Sequence, residues 1–539
     1  MLAAANWGKC PVQMPDSAQA GPSVRTSLRI CFALLGQFRF EYFGTVAVSS
    51  ILSAVEGIVH PLLIKAIFDQ GVLRTNFHRF VVLAIAYVTL GLLINLAGSV
   101  AALWSKSLEN RILKKLSRRM LGSYFESEYA TVLHNGHGYF INRIYGDLRE
   151  GLIPMLWLAQ STISSIILLT SSSLVLIYLS WKAFLILGAI IPISSTVGTV
   201  LGRRIRSLTS QEREQEGAFL AVLTKALGAF RVVRGFDLFS RTANALDLRL
   251  EDYFSTTYQK FRVSRLFQAL NDTTMVISDF LSMFVGALFV LRGALSFGAY
   301  LAFINTFWRA VTTLMQVFNR MTDFHALGAI VGRIASFLSS SATVYYLKGA
   351  SPSVEKVSFS YGKTLVLSGF SLHLSHRERV VLIGPNGSGK TTLANILSGY
   401  LAPSQGNVIL PERISSVTLP IMFPPLRVNE MLSDSSLLSA FGIHDQALLD
   451  AFADELSAGQ QQKLAIALAL SRDADLYVID EPLANLDRES RDVVMEGILD
   501  KTDGKNLIVI MHGSEEYHRL FDRVIQIDRV PEFARLASA

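Results

Sequence analysis

The glycine-rich stretch 384–391 constrains this chain most, because it lies within a strand–turn–helix pattern. It reads Gly-Pro-Asn-Gly-Ser-Gly-Lys-Thr, follows the apolar run 380–383 and leads into the helix-compatible segment 392–397. Glycines let the backbone wrap around phosphate groups with its N–H groups pointing inward. The start of the helix adds partial positive charge at the same point. The pattern predicts a phosphate-binding P-loop in which Lys390 holds the β- and γ-phosphates and Thr391 holds Mg²⁺.

The composition indicates a multi-pass membrane protein with a soluble part. Of the 539 residues, 50% are hydrophobic and only 17% are charged, whereas soluble domains carry about 25% charged residues. The net charge of +7 does not require nucleic acid as a partner, since the basic residues cluster beside apolar spans, where membrane lipids and topology account for them. Cys10 and Cys31 form neither a disulfide framework nor a metal-ligand spacing.

Six apolar segments predict an all-α transmembrane domain over residues 25–338. Each segment is long enough to cross a bilayer, which takes about 20 residues. Before them, residues 25–40 suit an amphipathic helix on the membrane surface. Residues 1–24 lack the pattern of a cleaved signal peptide, and we expect a flexible cytoplasmic tail. The predicted spans are approximately 42–68, 79–105, 152–180, 183–202, 270–291 and 297–320.

The distribution of basic residues predicts the orientation of these spans. Long hydrophilic stretches follow spans 2 and 4, and each begins with a cluster of lysine and arginine. The positive-inside rule therefore places both stretches and both termini in the cytoplasm. We expect the spans to lie in the cytoplasmic (inner) membrane. Both stretches contain few helix breakers, so we expect the helices to continue beyond the membrane. Bends are expected at 136–138 and 228–231, and short hairpins at 180–182 and 292–298.

Polar residues within the predicted spans need an explanation, because burying them in lipid is costly. One explanation is a central path that contacts cargo, and the other is inter-helix hydrogen bonds and ion pairs that fix packing. Either is open for a single residue, but we expect the group to contribute to a translocation path. Its members are Glu56, Asn95, Asp279, Asn305 and Arg309.

Beyond a short linker at 339–350, alternating strands and helices predict an α/β domain over 351–539 with a mainly parallel sheet. The apolar strand at 475–480 ends in Asp480 and Glu481. Two carboxylates at such a point are typical of a nucleotide hydrolase. We expect Asp480 to hold Mg²⁺, directly or through bound water, and Glu481 to take a proton from the attacking water.

Three further residues could each serve the nucleotide site or have a purely structural role. Tyr361 ends a predicted strand, so it could stack on an adenine ring or be an ordinary strand-end tyrosine. His512 follows the strand 507–511, at an edge where open α/β sheets bind ligands, and could contact the γ-phosphate. Ser457 precedes a helix whose start could bind an anion, although N-capping alone is a sufficient explanation.

The order of these motifs resembles one family. Leu-Ser-Ala-Gly-Gln at 456–460, taken with the P-loop, the pair 480–481, the segment 484–487 and His512, resembles the nucleotide-binding domain of ATP-binding cassette (ABC) transporters. Six spans before one such domain are similar to an exporter-type half-transporter, and the resemblance covers about 25–528. The run 456–468 is similar to that of bacterial exporters of siderophores and cyclic peptides.

The resemblance implies an ATPase that uses ATP and Mg²⁺ in composite sites. Two chains would form a dimer, most simply a homodimer, although a heterodimer is open. In this dimer each P-loop would face the segment 456–460 of the partner, which is called the signature below. Glu481 and His512 would be catalytic, and Thr391 and Asp480 would hold the metal. The implied nucleotide-binding residues are Tyr361, Gly384, Pro385, Asn386, Gly387, Ser388, Gly389, Lys390, Thr391, Thr392, Ser457, Gly459, Gln460 and Asp487.

The resemblance also implies export by alternating access. ATP binding would close the two cassettes and turn the cavity outward, and hydrolysis would reset it. Segments 129–138 and 225–235 would be coupling helices that rest on the cassettes. The polar residues of the spans indicate a cargo that is not purely apolar, so an amphiphile, a peptide and a siderophore all remain.

Two departures from the family pattern stand out. No glutamine occurs between Gly406 and Asp445, and the family's Q-loop glutamine would fall near Leu419, whose side chain cannot ligate Mg²⁺. Ala458 replaces a signature glycine, which is a milder change because the side chain stays small. The missing glutamine motivates a second hypothesis, a regulatory or sensor membrane protein that binds ATP and hydrolyses it weakly.

Overall fold

The computed structural model describes residues 24–188, 191–339, 346–362, 364–432, 436–513 and 515–530. The predicted tail lies outside these ranges except for its last residue, and the predicted linker is described only at 339 and 346–350. The chain forms two compact units, which are treated separately below. The first comprises Met1–Phe125 and Gly138–Ser340, and the second comprises Glu126–His137 and Ser341–Ala539.

Long helices build the first unit. The longest has 53 residues and so extends about 80 Å, well beyond the roughly 30 Å of a hydrocarbon core. Helices of this length support the expectation that they continue past the membrane. In chain order the helices between residues 24 and 339 are α1 (Val24–Leu35), α2 (Arg39–Ala66), α3 (Phe77–Phe125), α4 (Tyr129–Ile141), α5 (Ile153–Gly188), α6 (Ile191–Gly228), α7 (Phe230–Gly235), α8 (Phe239–Leu291) and α9 (Phe297–Ser339).

Four helical stretches of the described chain are long and apolar enough to cross a membrane. They are Val24–Val72, Phe77–Phe125, Gly138–Gly188 and Phe239–Leu291. Helices α6 and α9, where we expected spans 4 and 6, do not reach this composition over their described residues, since α6 turns basic at 203–206 and α9 carries Asn305 and Arg309. Within α5, Ser180 has extended backbone angles that interrupt the helix, at the position of the expected hairpin.

One of the two expected bends is wrong. Helix α4 runs through residues 136–138, and the chain leaves helical conformation at 126–128 instead. A helix tolerates glycine at a cost of about 1 kcal/mol each, and Tyr129 and Ala130 at the start of α4 pack against a core of the second unit. The other bend is present, because α6 ends at Gly228 and α7 begins at Phe230.

Close helix packing holds the first unit together. Helix α1 buries one face that includes Ile30, Cys31 and Leu35, within a cluster shared with α2, α3, α5 and α9. A Cβ atom on Gly57 of α2 would lie 2.1 Å from Oγ of Ser171 on α5. Only glycine therefore permits the approach of these two helices, as is common where helices cross in membranes.

Two sheets build the second unit, and this confirms the predicted fold class: an all-α transmembrane domain followed by an α/β domain. The first sheet has the order β1-β5-β2-β3, and the second has the order β6-β7-β8-β4-β9 and is parallel throughout. The strands are β1 (Leu347–Lys348), β2 (Ser353–Tyr361), β3 (Thr364–His373), β4 (Arg379–Ile383), β5 (Gln405–Leu410), β6 (Ile414–Val417), β7 (Leu476–Asp480), β8 (Asn506–Ile510) and β9 (Arg523–Gln526). The helices of this unit beyond α4 are α10 (Lys390–Leu397), α11 (Val428–Met431), α12 (Ser436–Ala440), α13 (Gln446–Asp450), α14 (Ala458–Leu470) and α15 (Arg488–Lys501).

The register of the parallel sheet positions the candidate site. Ile510 at the end of β8 pairs with Leu382 of β4 on one side and with Asp480 of β7 on the other. The carboxyl ends of parallel strands share one edge, where open α/β sheets bind their ligands. The P-loop after β4, Glu481 after β7 and His512 after β8 therefore emerge at the same edge.

Candidate nucleotide site

The P-loop joins β4 to α10 through backbone angles that favour glycine. Gly387 and Gly389 have φ of +80° and +94°, in the region that side chains with a Cβ atom rarely adopt. A Cβ atom on Gly389 would also lie 2.7 Å from Leu367 of β3, so this strand passes directly against the loop. The loop leads into the N-terminal end of α10, whose free N–H groups favour anions.

Lys390 places a buried positive charge inside the loop. The residue is 8% exposed, and its Nζ donates hydrogen bonds to the carbonyl oxygens of Gly384 at 2.8 Å and Pro385 at 3.0 Å. Neutral carbonyl oxygens satisfy the ammonium hydrogens but do not neutralise the charge. An anionic oxygen would make a stronger, charge-assisted bond to the same group, so the lysine suits a phosphate ligand.

Asp480 places a buried carboxyl group at the end of β7. It is 1% exposed and accepts a hydrogen bond from the side chain of Thr391. Burial raises the pKa of its carboxyl group to about 6, although the bond from Thr391 opposes the shift. Among the described residues, its Oδ2 and the Oγ of Ser388 are buried without a hydrogen-bond partner. Such atoms cost about 1–3 kcal/mol each, and oxygen donors beside a phosphate cradle fit a Mg²⁺-bound nucleotide.

Glu481 is held in an unusual backbone conformation. Its φ is +50°, a strained value for a residue other than glycine, and such strain is typical of functional positions. Its N–H donates to the carbonyl oxygen of Ile510 at 2.9 Å. Its own carbonyl oxygen accepts a 3.0 Å bond from Nε2 of Gln462, which is 2% exposed on α14. The sequence did not indicate Gln462, because only the fold reveals which carbonyl its amide reaches.

Two further residues lie at the same edge of the sheet. His512 is exposed just after β8, where the N–H of Met511 donates to the carbonyl oxygen of Leu382 at 3.1 Å. Leu419 follows the end of β6 at Val417 by two residues. Because β6 runs parallel to β7, Leu419 lies beyond the same edge of the sheet as Glu481, and its side chain offers no oxygen or nitrogen.

A second group of predicted residues gathers at the starts of α14 and α15. Ser457 caps α14 through a reciprocal pair, in which its Oγ accepts from Gln460 N–H at 3.4 Å and Gln460 Oε1 accepts from Ser457 N–H at 2.9 Å. Asp487 caps α15 by accepting from Ser490 N–H at 2.9 Å. Hydrogen bonding from the Ser490 side chain, and then from its N–H, lowers the pKa of the Asp487 carboxyl group. Capping thus explains both residues locally, and their role towards a nucleotide stays a prediction.

The signature and the segment 484–487 touch each other. A Cβ atom on Gly459 would lie 2.9 Å from the carbonyl oxygen of Asn485. Asn485 itself has φ of +61°. Any side chain at position 459 would push the two segments apart, so the contact gives this glycine a structural role of its own.

Two residues flank the P-loop side of the domain. Tyr361 ends β2 in the first sheet, is 43% exposed and contacts Phe359 edge-on, with 4.9 Å between ring centroids. Its stacking on adenine stays a prediction. No sequence pattern indicated Arg529, whose Nε donates a 2.9 Å bond to the carbonyl oxygen of Asn386 in the loop. It lies 143 positions further along the chain, so no local pattern could indicate the contact.

The candidate path residues of the first unit fall into two sets. Glu56 of α2 and Arg309 of α9 form an ion pair with 2.9 Å between Oε1 and Nη1. Glu56 and Asn95 also line one cavity between α2, α3 and α5. Asn305 is exposed on α9, and Asp279 is half-buried on α8, away from the helices whose described residues line that cavity.

Comparison with known families agrees with both units. Residues 43–314 match the family described as ABC transporter transmembrane region. Residues 367–484 match the family described as ABC transporter. The first match alone covers half of the chain, and it includes all or most of each expected span.

Similar proteins come from mammals and bacteria. The chain is 26% identical over 450 residues to a Rattus norvegicus mitochondrial potassium channel ATP-binding subunit, covering 75% of this chain and 63% of that protein. It is 22% identical over 528 residues to a Ralstonia nicotianae ATP-dependent lipid A-core flippase, covering 89% of this chain and 88% of that protein. It is 22% identical over 549 residues to a Bibersteinia trehalosi leukotoxin translocation ATP-binding protein, covering 92% of this chain and 75% of that protein. With both family matches on one polypeptide, the chain belongs to the ABC transporter family, as a membrane protein with an ATPase domain that drives transport.

Proposed function

We propose that this protein exports an amphiphilic or peptide-like cargo across the cytoplasmic membrane as a homodimer with two composite ATP sites. The observation that carries the proposal is the convergence of Lys390, Asp480 and Glu481 at one sheet edge, in a chain that also carries the membrane helices. A buried cation, a buried carboxyl group and a following glutamate are what phosphoryl transfer to water requires.

Each residue of this edge has a separate task. Lys390 neutralises phosphate charge, and the glycines keep the loop N–H groups aimed inward. Thr391 and Asp480 would hold Mg²⁺, which screens phosphate charge and polarises the reacting group when bound. Glu481, held rigidly by bonds from its N–H and to its carbonyl oxygen, would orient water and accept its proton. His512 would hold the γ-phosphate from the neighbouring strand.

The position of the second group of residues supports the proposed dimer. Ser457, Gly459, Gln460 and Asp487 sit at the starts of α14 and α15, and in the family such residues complete the site of a partner chain. Closure of the two cassettes on ATP and their release after hydrolysis would then drive alternating access. The basic clusters after the predicted spans 2 and 4 support a cytoplasmic ATPase domain.

The exchange Glu481→Gln tests this proposal. It removes the proton acceptor while keeping size and hydrogen bonding, so ATP turnover should fall by at least about 100-fold with ATP affinity retained. Turnover and nucleotide affinity are measured on the purified protein in lipid nanodiscs. The control is Glu412→Gln, which changes an exposed glutamate paired with Lys348. Unchanged turnover in Glu481→Gln would refute the proposed catalytic role.

A second candidate function is regulation by ATP binding with weak hydrolysis. Leu419 favours it, because this side chain offers no ligand at the edge of the sheet. A rat relative is named as the ATP-binding subunit of a mitochondrial potassium channel, and this name is compatible with such a function. Transport into inverted membrane vesicles with and without ATP separates the two. Strong ATP-dependent cargo flux excludes the regulatory function, and absence of any flux excludes the exporter.

A further inference from the structure

A polar cavity of about 720 Å³ lies between α2, α3 and α5 of the first unit. All three helices contribute to stretches that are long and apolar enough to cross a membrane. Hydrogen-bonding groups at that depth are costly unless they meet partners, so the cavity needs water or a polar ligand. More than half of its lining residues are polar, and hydroxyl and amide side chains dominate: Ser49, Ser53, Asn95, Ser99 and Gln160.

The charges at the cavity are matched in pairs. Glu56 is bound by Arg309 at 2.9 Å, and Glu109 is bound by Lys106 at 2.8 Å. Among the described residues that line the cavity, an anionic ligand would therefore find no surplus cation. A cationic ligand would have to compete with Arg309 or Lys106 for a carboxylate. Displacing one partner of either pair would leave its counterpart's charge unpaired beside the ligand. The cavity thus disfavours a charged head group of either sign.

The remaining polar groups are dipoles with spare capacity. Nε2 of Gln160 donates to Oγ of Ser49 at 2.9 Å, and Oγ of Ser99 donates to the carbonyl oxygen of Asn95 at 2.9 Å. A side-chain amide offers two donors and an acceptor with two lone pairs, so one bond uses only part of what Gln160 provides. The serine oxygens can accept further bonds in the same way.

We propose that this cavity binds a neutral head group of hydroxyl or amide groups attached to an apolar tail. The volume lies within the range of about 300–1,000 Å³ of small-molecule sites. Leu52, Ile94 and Trp157 add apolar surface to the lining for the start of the tail. The inference rests on the proposed export function, for which it names the cargo class, and a sugar-headed lipid and an acylated peptide amide share the required chemistry.

Photo-crosslinking tests the site without ATP. The probe is dodecyl maltoside with a diazirine on its tail, photolysed with the protein in lipid nanodiscs, and crosslinked peptides are mapped by mass spectrometry. Four unlabelled amphiphiles with the same tail compete: dodecyl maltoside, a dodecanoyl dipeptide amide, dodecyl phosphate and dodecyltrimethylammonium. We expect crosslinks on α2, α3 or α5, and competition by the two neutral compounds at least about tenfold better than by the charged ones.

Single exchanges at the cavity supply the second readout. Asn95→Leu and Gln160→Leu keep side-chain size but remove the amide, and each should lower the crosslink yield several-fold. The control Thr170→Val lies on α5 but bonds only within its own helix in the described contacts, to the carbonyl oxygen of Ile166, and should crosslink normally. Better competition by dodecyl phosphate or dodecyltrimethylammonium, or unchanged yields in both leucine variants, would overturn the inference.

The same assay separates this inference from the proposed function. Glu481→Gln protein should crosslink like the wild type, because head-group binding does not need ATP turnover. Absence of ATP-driven transport by the wild-type protein, together with crosslinks on α2, α3 or α5, would refute export and leave the cavity's selectivity standing. Vigorous ATP-driven flux together with no crosslinks on α2, α3 or α5 would refute the cavity assignment and leave export standing.

Discussion

Gln462 on α14 donates a 3.0 Å hydrogen bond to the backbone carbonyl oxygen of Glu481. The bond joins the helix that begins at the signature to the residue that we expect to activate water. Because Glu481 has φ of +50°, its conformation depends on surrounding contacts to hold it. The helix that begins at the signature therefore supports Glu481 of its own chain, the residue that we propose as catalytic, in addition to any role towards a partner's nucleotide.

We predict that Gln462→Met lowers ATP turnover. Methionine fills the space but cannot donate, so the carbonyl oxygen of Glu481 keeps only its 3.2 Å bond from the N–H of Ala484. Losing the bond to α14 costs about 0.5–1.5 kcal/mol and leaves the strained backbone of Glu481 less well held. If this strain displaces Glu481, turnover falls roughly tenfold for each 1.4 kcal/mol lost in the transition state, while ATP affinity stays unchanged. Turnover and nucleotide binding are measured side by side. The control Gln446→Met alters an exposed glutamine on α13 that bonds Asp450; equal turnover in both variants would contradict the prediction.

Leu419→Gln should raise ATP turnover and sharpen its Mg²⁺ dependence. The leucine follows β6 at the edge where Asp480 and the P-loop emerge, and an amide oxygen there could bind the metal or its water. Outer ligands of a metal change its affinity by roughly 10–100-fold, so the apparent Mg²⁺ affinity should rise by about tenfold. Leu419→Met serves as the control of similar size. An unaltered Mg²⁺ titration would show that position 419 does not face the metal.

Tyr129→Ala should reduce transport per ATP hydrolysed. Tyr129 at the start of α4 lies beside Tyr400, with 6.0 Å between ring centroids, within the unit that contains the ATPase domain. Aromatic pairs contribute about 0.5–1.5 kcal/mol beyond the area that they bury, and loss of the pair should weaken the hold of α4 on this domain. Cargo flux and ATP turnover are measured in the same vesicles, with Tyr129→Phe as control. Parallel loss of both quantities would argue against a coupling role.

Short, contiguous motifs made the candidate site predictable, whereas long-range contacts did not. The P-loop and the carboxylates 480–481 could be predicted because their functional groups lie on adjacent residues of the sequence. Arg529 contacts Asn386 across 143 positions, and Glu56 meets Arg309 across 253, so only the fold reveals these pairs. The bend expected at 136–138 failed for a related reason: Tyr129 and Ala130 at the start of α4 pack within the core of the second unit, and the helix continues through two glycines that cost only about 1 kcal/mol each.

The ion pair between Arg413 and Asp475 should make the stability of the ATPase domain depend on pH. Arg413 binds Asp475 through two bonds of 2.6 and 3.1 Å, and this pairing lowers the pKa of the Asp475 carboxyl group. A carboxyl group with a lowered folded pKa adds stability above its unfolded pKa of about 4, and loses it as the pH falls through the folded value. Asp475 is partly exposed, so the contribution stays below about 1 kcal/mol.

Arg413→Gln should therefore lower the thermal midpoint of the ATPase domain at pH 7. Below about pH 4, the midpoint of this variant should fall less with decreasing pH than that of the wild type. Thermal unfolding of the whole protein is followed at several pH values. Lys348→Gln, which removes an isolated exposed pair with Glu412, should change neither quantity measurably. A variant whose midpoint falls with pH as steeply as that of the wild type would rule out this role for Arg413.

Complementation between inactive variants tests whether the ATP sites are composite. Lys390→Ala removes the phosphate-binding cation, and Ser457→Asp keeps the N-cap of α14 but adds a negative charge where the partner's phosphates would lie. Each variant alone should be nearly inactive. In a mixed dimer, the intact Lys390 of one chain meets the intact Ser457 of the other at one of the two sites. Random pairing then restores roughly a quarter of wild-type turnover in the co-expressed mixture.

The matched control for this experiment combines Lys390→Ala with Glu481→Gln. Both exchanges fall on the half of the site that one chain supplies, at the shared edge of the parallel sheet. Every site in their mixed dimer therefore carries one of the two defects, and turnover should not recover. Recovery in this control would mean that Lys390 and Glu481 do not belong to the same half of one site. No recovery in the Lys390→Ala and Ser457→Asp mixture would mean that each chain forms its ATP site alone. The signature serine would then serve only as the cap that the structure shows.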